Sequence, residues 1–130
     1  MAREKASQAR KGITEAKAKI DRLVNEVIAF RRQITPGKIT TVLTRCGKKG
    51  CKCQRGDKHL SNFLYVSRGG PLKRLYVPDK DLTWVTERSE RYRRLRSCRA
   101  ELGKAFQALL AQVDELEQAL TDPYAKKRAS

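Results

Sequence analysis

The sequence predicts an α+β protein, in which two long helices form an antiparallel coiled-coil hairpin with a three-stranded antiparallel sheet and a zinc-binding loop at its tip. Three observations support this fold class. Apolar residues alternate by three and four near both ends of the chain, short β-branched and aromatic runs occupy the middle, and three of four cysteines lie beside the sole histidine. We therefore divide the chain into an N-terminal helix (1–35), a zinc/β-hairpin module (36–78), a C-terminal helix (79–122) and a basic tail (123–130).

The first helix is predicted by apolar residues whose spacing is the a/d signature of a coiled coil. We expect this helix to stop near Thr35, because Pro36 disfavours helical geometry in the residue before it and Gly37 follows. The predicted seam residues are Ala6, Ala9, Ile13, Ala16, Ile20, Leu23, Val27, Phe30 and Ile34.

The second helix carries a similar stripe, with a predicted start at Asp79 or Asp81 as N-cap and an end near Pro123. Two of its a/d positions are arginines, Arg88 and Arg99, which indicates that the seam loosens there or faces a partner. The predicted seam is Val85, Arg88, Tyr92, Leu95, Arg99, Leu102, Phe106, Leu109, Val113, Leu116 and Leu120.

The two stripes predict that the helices pair, with residues 102–120 lying against residues 6–20. The acidic residues of 105–122 would then face basic residues near the start of the first helix. Pairing between two chains, as a homodimer through the same seam, is an alternative that the sequence leaves open.

The middle of the chain is predicted to form the sheet. Residues 40–44, 63–66 and 72–77 are rich in β-branched and aromatic side chains, and residues 67–71 between the last two contain two glycines and a proline. This composition is typical of a β-hairpin. So small a sheet is marginal on its own, which makes a metal staple physically sensible.

The loop between the first strand and the hairpin contains Cys46, Cys51, Cys53 and His59 among glycines and lysines. Zn²⁺ prefers four tetrahedral sulfur or nitrogen ligands, and a structural site closes all four positions. We predict that these four residues bind one structural zinc ion. A disulfide from Cys46 and burial as small hydrophobes are the alternatives. Clustered cysteines in an intracellular protein more often bind metal, and we expect this protein to be cytoplasmic.

The charge distribution predicts a nucleic-acid-binding protein. The chain has a net charge of +16, and residues 31–104 hold 20 Lys/Arg against 6 Asp/Glu. Residues 105–122 instead hold four acidic residues and no basic one. A concentrated basic patch is typical of nucleic-acid binding, whereas a surface that serves only solubility usually mixes both signs. No apolar run approaches the length of a membrane span, so we expect no membrane partner.

Basic residues of the loop, the hairpin and the second helix are the candidate phosphate contacts. Four aromatic residues, Phe63, Tyr65, Tyr76 and Trp84, would stack on bases if they were exposed, but we expect them to form the core of the sheet instead. The candidate nucleic-acid-binding residues are Lys48, Lys49, Lys52, Arg55, Lys58, Arg68, Lys73, Arg74, Arg88, Arg91, Arg93, Arg94 and Arg96.

Residues 45–95 resemble a family of small bacterial proteins of unknown function. The resemblance rests on a Cys-Gly-Lys-x-x-Cys-x-Cys-x-x-Gly-x-x-His loop, here residues 46–59, then a Tyr-Val-Pro tripeptide at 76–78 and a Tyr-Arg-Arg-Leu segment at 92–95. The family often has Gly-Pro-Tyr after the histidine, whereas this chain has Leu60-Ser61-Asn62. Such proteins resemble cargo of mobile elements, which implies DNA rather than RNA as the ligand. If the protein binds DNA, we expect it to be associated with the nucleoid.

We expect no enzymatic activity, because three cysteines and a histidine leave a zinc ion no open coordination position. A metal-dependent nuclease using Asp57 with Glu87 or Glu90 is an alternative. The sequence therefore predicts a non-enzymatic, zinc-containing accessory protein that binds nucleic acid. The second reading is a protein-interaction adaptor whose helices dock into a larger complex.

Overall fold

A computed structural model of the chain describes residues 2–44 and 59–124. The elements follow in the order α1 (Ala2–Ile28), β1 (Lys38–Thr44), β2 (His59–Val66), β3 (Lys73–Val77) and α2 (Asp79–Leu120). This confirms the predicted α+β class, with two helices and one three-stranded antiparallel sheet.

The chain divides into two compact units. The helical unit comprises the described residues up to Phe30 and from Ser97 onward, and the sheet unit comprises Arg31–Arg96. Helix α2 contributes residues to both. Each unit has buried residues of its own, which are considered in turn.

In the helical unit, α1 buries the stripe that its sequence predicts. Ala6, Ala9 and Leu23 are fully buried, and Leu23 is only 1% exposed. The positions between and after them are half-buried at the same alternating spacing: Ile13, Ala16, Ile20 and Val27. Phe30, just beyond the end of the helix, is half-buried as well. The heptad pattern thus identifies the packed face of this helix correctly.

The prediction that α1 continues to Thr35 is wrong, because the helix ends at Ile28. The Phe30 amide bonds the Val27 carbonyl, which tightens the last turn into the i→i+3 pattern common at helix ends. Beyond it, the Thr35 amide donates to the Arg88 carbonyl at 3.1 Å. Contacts between this segment and α2 replace the intrahelical bonds that a longer helix would make.

The buried line of α2 differs from the predicted seam at several positions. Ser89, Cys98 and Ala105 are buried, whereas the neighbouring Phe106 is about half exposed. Each of these small buried residues lies directly beside a large or charged residue that the sequence pattern places in the seam. Several large apolar side chains are exposed instead: Phe106, Leu110, Val113 and Leu120.

Two contacts show that α1 and the later part of α2 run antiparallel within one chain. The Cys98 thiol donates to Glu26 Oε2 at 3.4 Å, and a Cβ on Gly12 would lie 2.5 Å from Gln112 Cδ. The two contacts are separated by the same number of residues along each helix, so the register does not slip between them. Small side chains in the buried line are explained by this close approach.

The sheet unit has strand order β1-β2-β3, with both neighbouring pairs antiparallel. Leu64 on the central strand pairs with Ile39 on one side and Leu75 on the other. One face of the sheet packs on the start of α2, where a buried cluster contains Leu64, Val77 and Val85 and is flanked by partly buried Ile39, Val66 and Leu82.

The segment that enters the sheet is held against α2 at Gly37. The Ser89 hydroxyl, 1% exposed as a residue, donates to the Gly37 carbonyl at 2.6 Å. Gly37 has φ of +118°, a backbone conformation that residues with a side chain rarely adopt. A Cβ there would lie 2.8 Å from the Tyr65 carbonyl oxygen. Only glycine fits this position without strain.

Candidate nucleic-acid interface

The second face of the sheet, named here the outer face, lies opposite the core cluster. Side chains alternate along a strand, so the register assigns them to the two faces. The outer face comprises Lys38, Thr40, Val42, Thr44, His59, Ser61, Phe63, Tyr65, Arg74 and Tyr76. It carries two basic side chains, Lys38 and Arg74, and no carboxylate.

An aromatic–arginine cluster occupies the centre of the outer face. The rings of Phe63 and Tyr76 meet edge to face, with centroids 5.8 Å apart and an interplanar angle of 66°. The Arg74 guanidinium carbon lies 4.2 Å from the centroid of the Phe63 ring. Phe63 is buried as expected, but Tyr76 is 63% exposed, so the expectation that Tyr76 belongs to the core is wrong.

A second aromatic–arginine pair lies on the first turns of α2. The Arg88 guanidinium carbon is 4.6 Å from the Trp84 ring centroid, and the Trp84 indole nitrogen donates to Asp81 Oδ1 at 3.1 Å. Trp84 is 44% exposed, so it too is not a core residue. The predicted seam position Arg88 thus carries a guanidinium stacked on a ring, while Ser89 takes the buried position beside it.

The other four candidate arginines of α2 comprise one that is bonded to a neighbouring segment and three that are exposed. Arg91 donates to the Gln33 carbonyl oxygen and pairs with Glu87 at 3.9 Å, so it holds the segment that follows α1. Arg93 and Arg96 are exposed. Arg94 is exposed as well, and its side chain makes an interaction within the protein.

The hairpin contributes two more exposed basic residues. Arg68 lies in the turn between β2 and β3, and Lys73 is the first residue of β3. Lys38, the first residue of β1, also belongs to the outer face, although the sequence analysis missed it. Its position two residues before Thr40 in an alternating strand is the signal that would have identified it.

Most of the predicted zinc site lies outside the described residues. That applies to Cys46, Cys51 and Cys53, and also to the basic loop residues Lys48, Lys49, Lys52, Arg55 and Lys58. His59 is the first residue of β2 and pairs with Thr44, the last residue of β1. The two ends of the intervening segment are therefore fixed side by side. Among residues 2–44 and 59–124, no group of three or more His, Cys, Asp or Glu is placed to hold a metal ion.

Across the described part of the chain, neither helix combines the length and apolar character that crossing a membrane requires. A family model described as a domain of unknown function (DUF6788) matches residues 13–87, more than half of the chain. The match spans all three strands and ends within α2, before the Tyr-Arg-Arg-Leu segment at 92–95. No curated protein and no solved structure matches the chain.

Proposed function

We propose that this chain, which belongs to the DUF6788 family, is a non-enzymatic protein that binds nucleic acid through its sheet unit. The observation that carries the proposal is the pair of guanidinium groups held on aromatic rings, Arg74 on Phe63 and Arg88 on Trp84. Both belong to a segment, residues 31–96, with 18 basic and 5 acidic residues, a net charge of +13.

A guanidinium held on a ring is suited to phosphate or base contact. Arginine presents its donors in a rigid planar fork, and the supporting ring restricts its motion before the ligand arrives. Binding then costs less conformational entropy than it would with a mobile side chain. The exposed Arg68, Lys73, Arg93 and Arg96 add phosphate contacts that depend on charge and not on base sequence.

We further propose that one structural zinc ion is held by Cys46, Cys51, Cys53 and His59. The donor set has the number and softness of ligands that zinc prefers, and four protein ligands leave no position for a substrate. The pairing of His59 with Thr44 supports this, because it closes the segment that contains the cysteines.

DNA is the proposed ligand in preference to RNA. This choice rests on the resemblance to cargo of mobile elements. A DNA-binding protein in the cytoplasm would be associated with the nucleoid. The binding experiment below compares DNA and RNA directly.

The second candidate function is a protein-interaction adaptor. It is favoured by the exposed apolar stripe of α2, in which Phe106, Leu110, Val113 and Leu120 recur at helical spacing. The same segment is acidic, so a partner helix with basic flanks would suit it. A homodimer through this stripe is the other form that such docking would take.

Binding across a salt series tests the nucleic-acid proposal. Purified full-length protein, with its zinc content measured on the same sample, is titrated with labelled duplex DNA, single-stranded DNA and structured RNA. We expect affinity to fall steeply with salt, because each neutralised phosphate contributes about 0.9 to the logarithmic slope on duplex DNA.

A matched pair of double variants separates local contact from net charge. Replacing Arg93 and Arg96 by Ala should lower the slope by about one to two units and weaken binding. Replacing Lys17 and Lys19 by Ala, exposed residues of α1, removes the same charge and should change the slope little. Undetectable binding at low salt, or binding indifferent to salt, would contradict the proposal.

A further inference from the structure

We infer that the outer face of the sheet binds unpaired bases, so that single-stranded nucleic acid is the class of ligand that it selects. This inference rests on the proposed nucleic-acid function and names the ligand of the same unit. The proposed stacking surface is an exposed platform formed by Tyr76 and Arg74, both in contact with the Phe63 ring.

Tyr76 provides the exposed ring of this platform. It is 63% exposed and lies on β3, an edge strand, where a ligand approaches without displacing any described element. Phe63 beneath it is buried and meets the Tyr76 ring edge to face. The contact restricts the orientation of Tyr76 while leaving most of its surface to a ligand.

Arg74 extends the platform beside the ring. Its guanidinium carbon lies 4.2 Å from the centroid of the Phe63 ring, and the residue as a whole is exposed. Bases stack on guanidinium planes as well as on aromatic rings, and the positive charge favours the adjoining phosphate. The Phe63–Arg74–Tyr76 cluster therefore offers stacking and charge at one place.

The charge of the outer face fits a polyanion. Lys38 pairs with Tyr65 across β1 and β2, and Tyr65 pairs with Arg74 across β2 and β3, which places both cations at one end of the face. No Asp or Glu belongs to the face as the register defines it. A strand of nucleic acid that crosses the sheet would meet phosphate contacts at Lys38 and Arg74 and stacking at Tyr76.

The geometry favours unpaired over paired bases. In a duplex the base faces are stacked on each other, so an aromatic ring reaches them only at an end or after a base is extruded. A short three-stranded sheet with neighbouring strands about 4.8 Å apart offers a face about 10 Å wide. That width accommodates two or three splayed bases, which is the number that sheet-based single-strand binders stack.

Replacing the exposed ring tests the inference. The probe is a single strand of about 12 nucleotides that contains 2-aminopurine, alongside the same sequence as a duplex. We expect Tyr76→Ala to weaken single-strand binding about 5- to 100-fold, with an unchanged salt slope because no charge is lost. The quenching of 2-aminopurine fluorescence on binding should be lost as well, while duplex affinity should stay within about twofold.

Three further variants control for other causes. Tyr76→Phe keeps the ring and should bind like wild type, and Leu75→Ala alters the opposite face of the same strand and should have little effect. Arg74→Lys keeps the positive charge but removes the planar guanidinium group, so it should weaken single-strand binding at an unchanged salt slope. Because Arg74 is exposed, this variant also provides a test if Tyr76→Ala fails to fold.

The outcomes distinguish the inference from the function on which it rests. If wild-type protein binds no nucleic acid at low salt, both are overturned. If it binds with a steep salt slope but Tyr76→Ala binds the single strand equally well, the outer face is not the stacking site and only the inference fails. Equal losses on single strand and duplex would also overturn it, because they would show a contact with the backbone.

Discussion

The helical unit and the sheet unit of this chain differ in which residues they bury and which they expose. The helical unit packs a line of small residues, such as Ala9, Cys98 and Ala105, and bears the acidic segment 105–122. The sheet unit has a small leucine–valine cluster on one face and a basic aromatic surface on the other. Packing of small residues thus distinguishes the first unit, whereas the second presents cations and aromatic rings on an exposed face.

The difference extends to how each unit treats its large apolar residues. In the helical unit, Leu110 and Leu120 are more than half exposed although the buried line lies next to them. In the sheet unit, the exposed ring of Trp84 is accompanied by the guanidinium group of Arg88. An exposed leucine stripe suits a protein partner, whereas a ring paired with a cation suits a phosphate or a base.

Metal removal should have the largest effect, and it should affect the two units unequally. A structural zinc ion contributes its binding free energy to folding, on the order of 10 kcal/mol. We expect chelation to unfold the sheet unit, seen as a shift in fluorescence of Trp84, the sole tryptophan, while the helical unit retains far-ultraviolet ellipticity at 222 nm.

Cysteine variants give this prediction its control. Cys46→Ser should reduce zinc content and reproduce the fluorescence shift. Cys98→Ser changes a cysteine of the helical unit, outside the proposed ligand set, and should leave zinc stoichiometry unchanged. Stoichiometric zinc in the Cys46→Ser protein, or Trp84 fluorescence indifferent to chelation, would contradict the assignment.

A backbone substitution in the sheet unit should have an intermediate effect. Gly37→Ala places a Cβ 2.8 Å from the Tyr65 carbonyl oxygen at a φ of +118°, and it disturbs the carbonyl that accepts from Ser89. We expect a loss of about 2–4 kcal/mol in the free energy of unfolding, measured by urea denaturation of Trp84 fluorescence.

Gly70→Ala is the matched control for that change. A Cβ on Gly70 has nothing within 4 Å, and its φ is not positive, so the variant should stay within about 0.5 kcal/mol of wild type. Equal stability of the two variants would show that the chain does not turn at Gly37 as described.

The extent to which the sequence predicts the structure differs between the two units. The α1 stripe from Ala6 to Val27 was predicted correctly, because every position on it is apolar and periodicity suffices. The buried residues of α2 were only partly predicted. The hydrophobic pattern selects Phe106 and not Ala105, and it places arginines at 88 and 99 and not the adjacent Ser89 and Cys98 on the buried face. Close approach of two helices favours small side chains at the contact, and these positions can be identified only once the facing helix is known.

The strands were predicted from composition, but the role of their aromatic residues was not. Phe63 and Tyr76 are both apolar enough for a core, and only the register shows that they share the face opposite Leu64. Exposure of Tyr76 follows from its place on an edge strand, which strand order decides. The contact between Arg74 and Phe63 was equally hard to predict, because it joins two strands. Arg88 instead lies four residues after Trp84 on one helix, a spacing from which that pair could have been predicted.

The smallest predicted effect measures the close approach in the helical unit. Glycine inside a helix costs roughly 0.5–1 kcal/mol relative to alanine, so Gly103→Ala, where a Cβ meets nothing within 4 Å, should stabilise by about that amount. Gly12→Ala has the same gain in propensity, but its Cβ would lie 2.5 Å from Gln112 Cδ, and the Gln112 side chain must move aside. Thermal denaturation followed at 222 nm should therefore show a smaller gain, or none, for Gly12→Ala.

Repeating Gly12→Ala in a Gln112→Ala background isolates the contact, because the group that must move is then absent. The substitution should recover the full gain seen at Gly103, and the difference between backgrounds is the coupling free energy of the two positions. If Gly12→Ala stabilises as much as Gly103→Ala with Gln112 present, the helices are not in close contact there. The small residues of the buried line would then need another explanation than packing against α1.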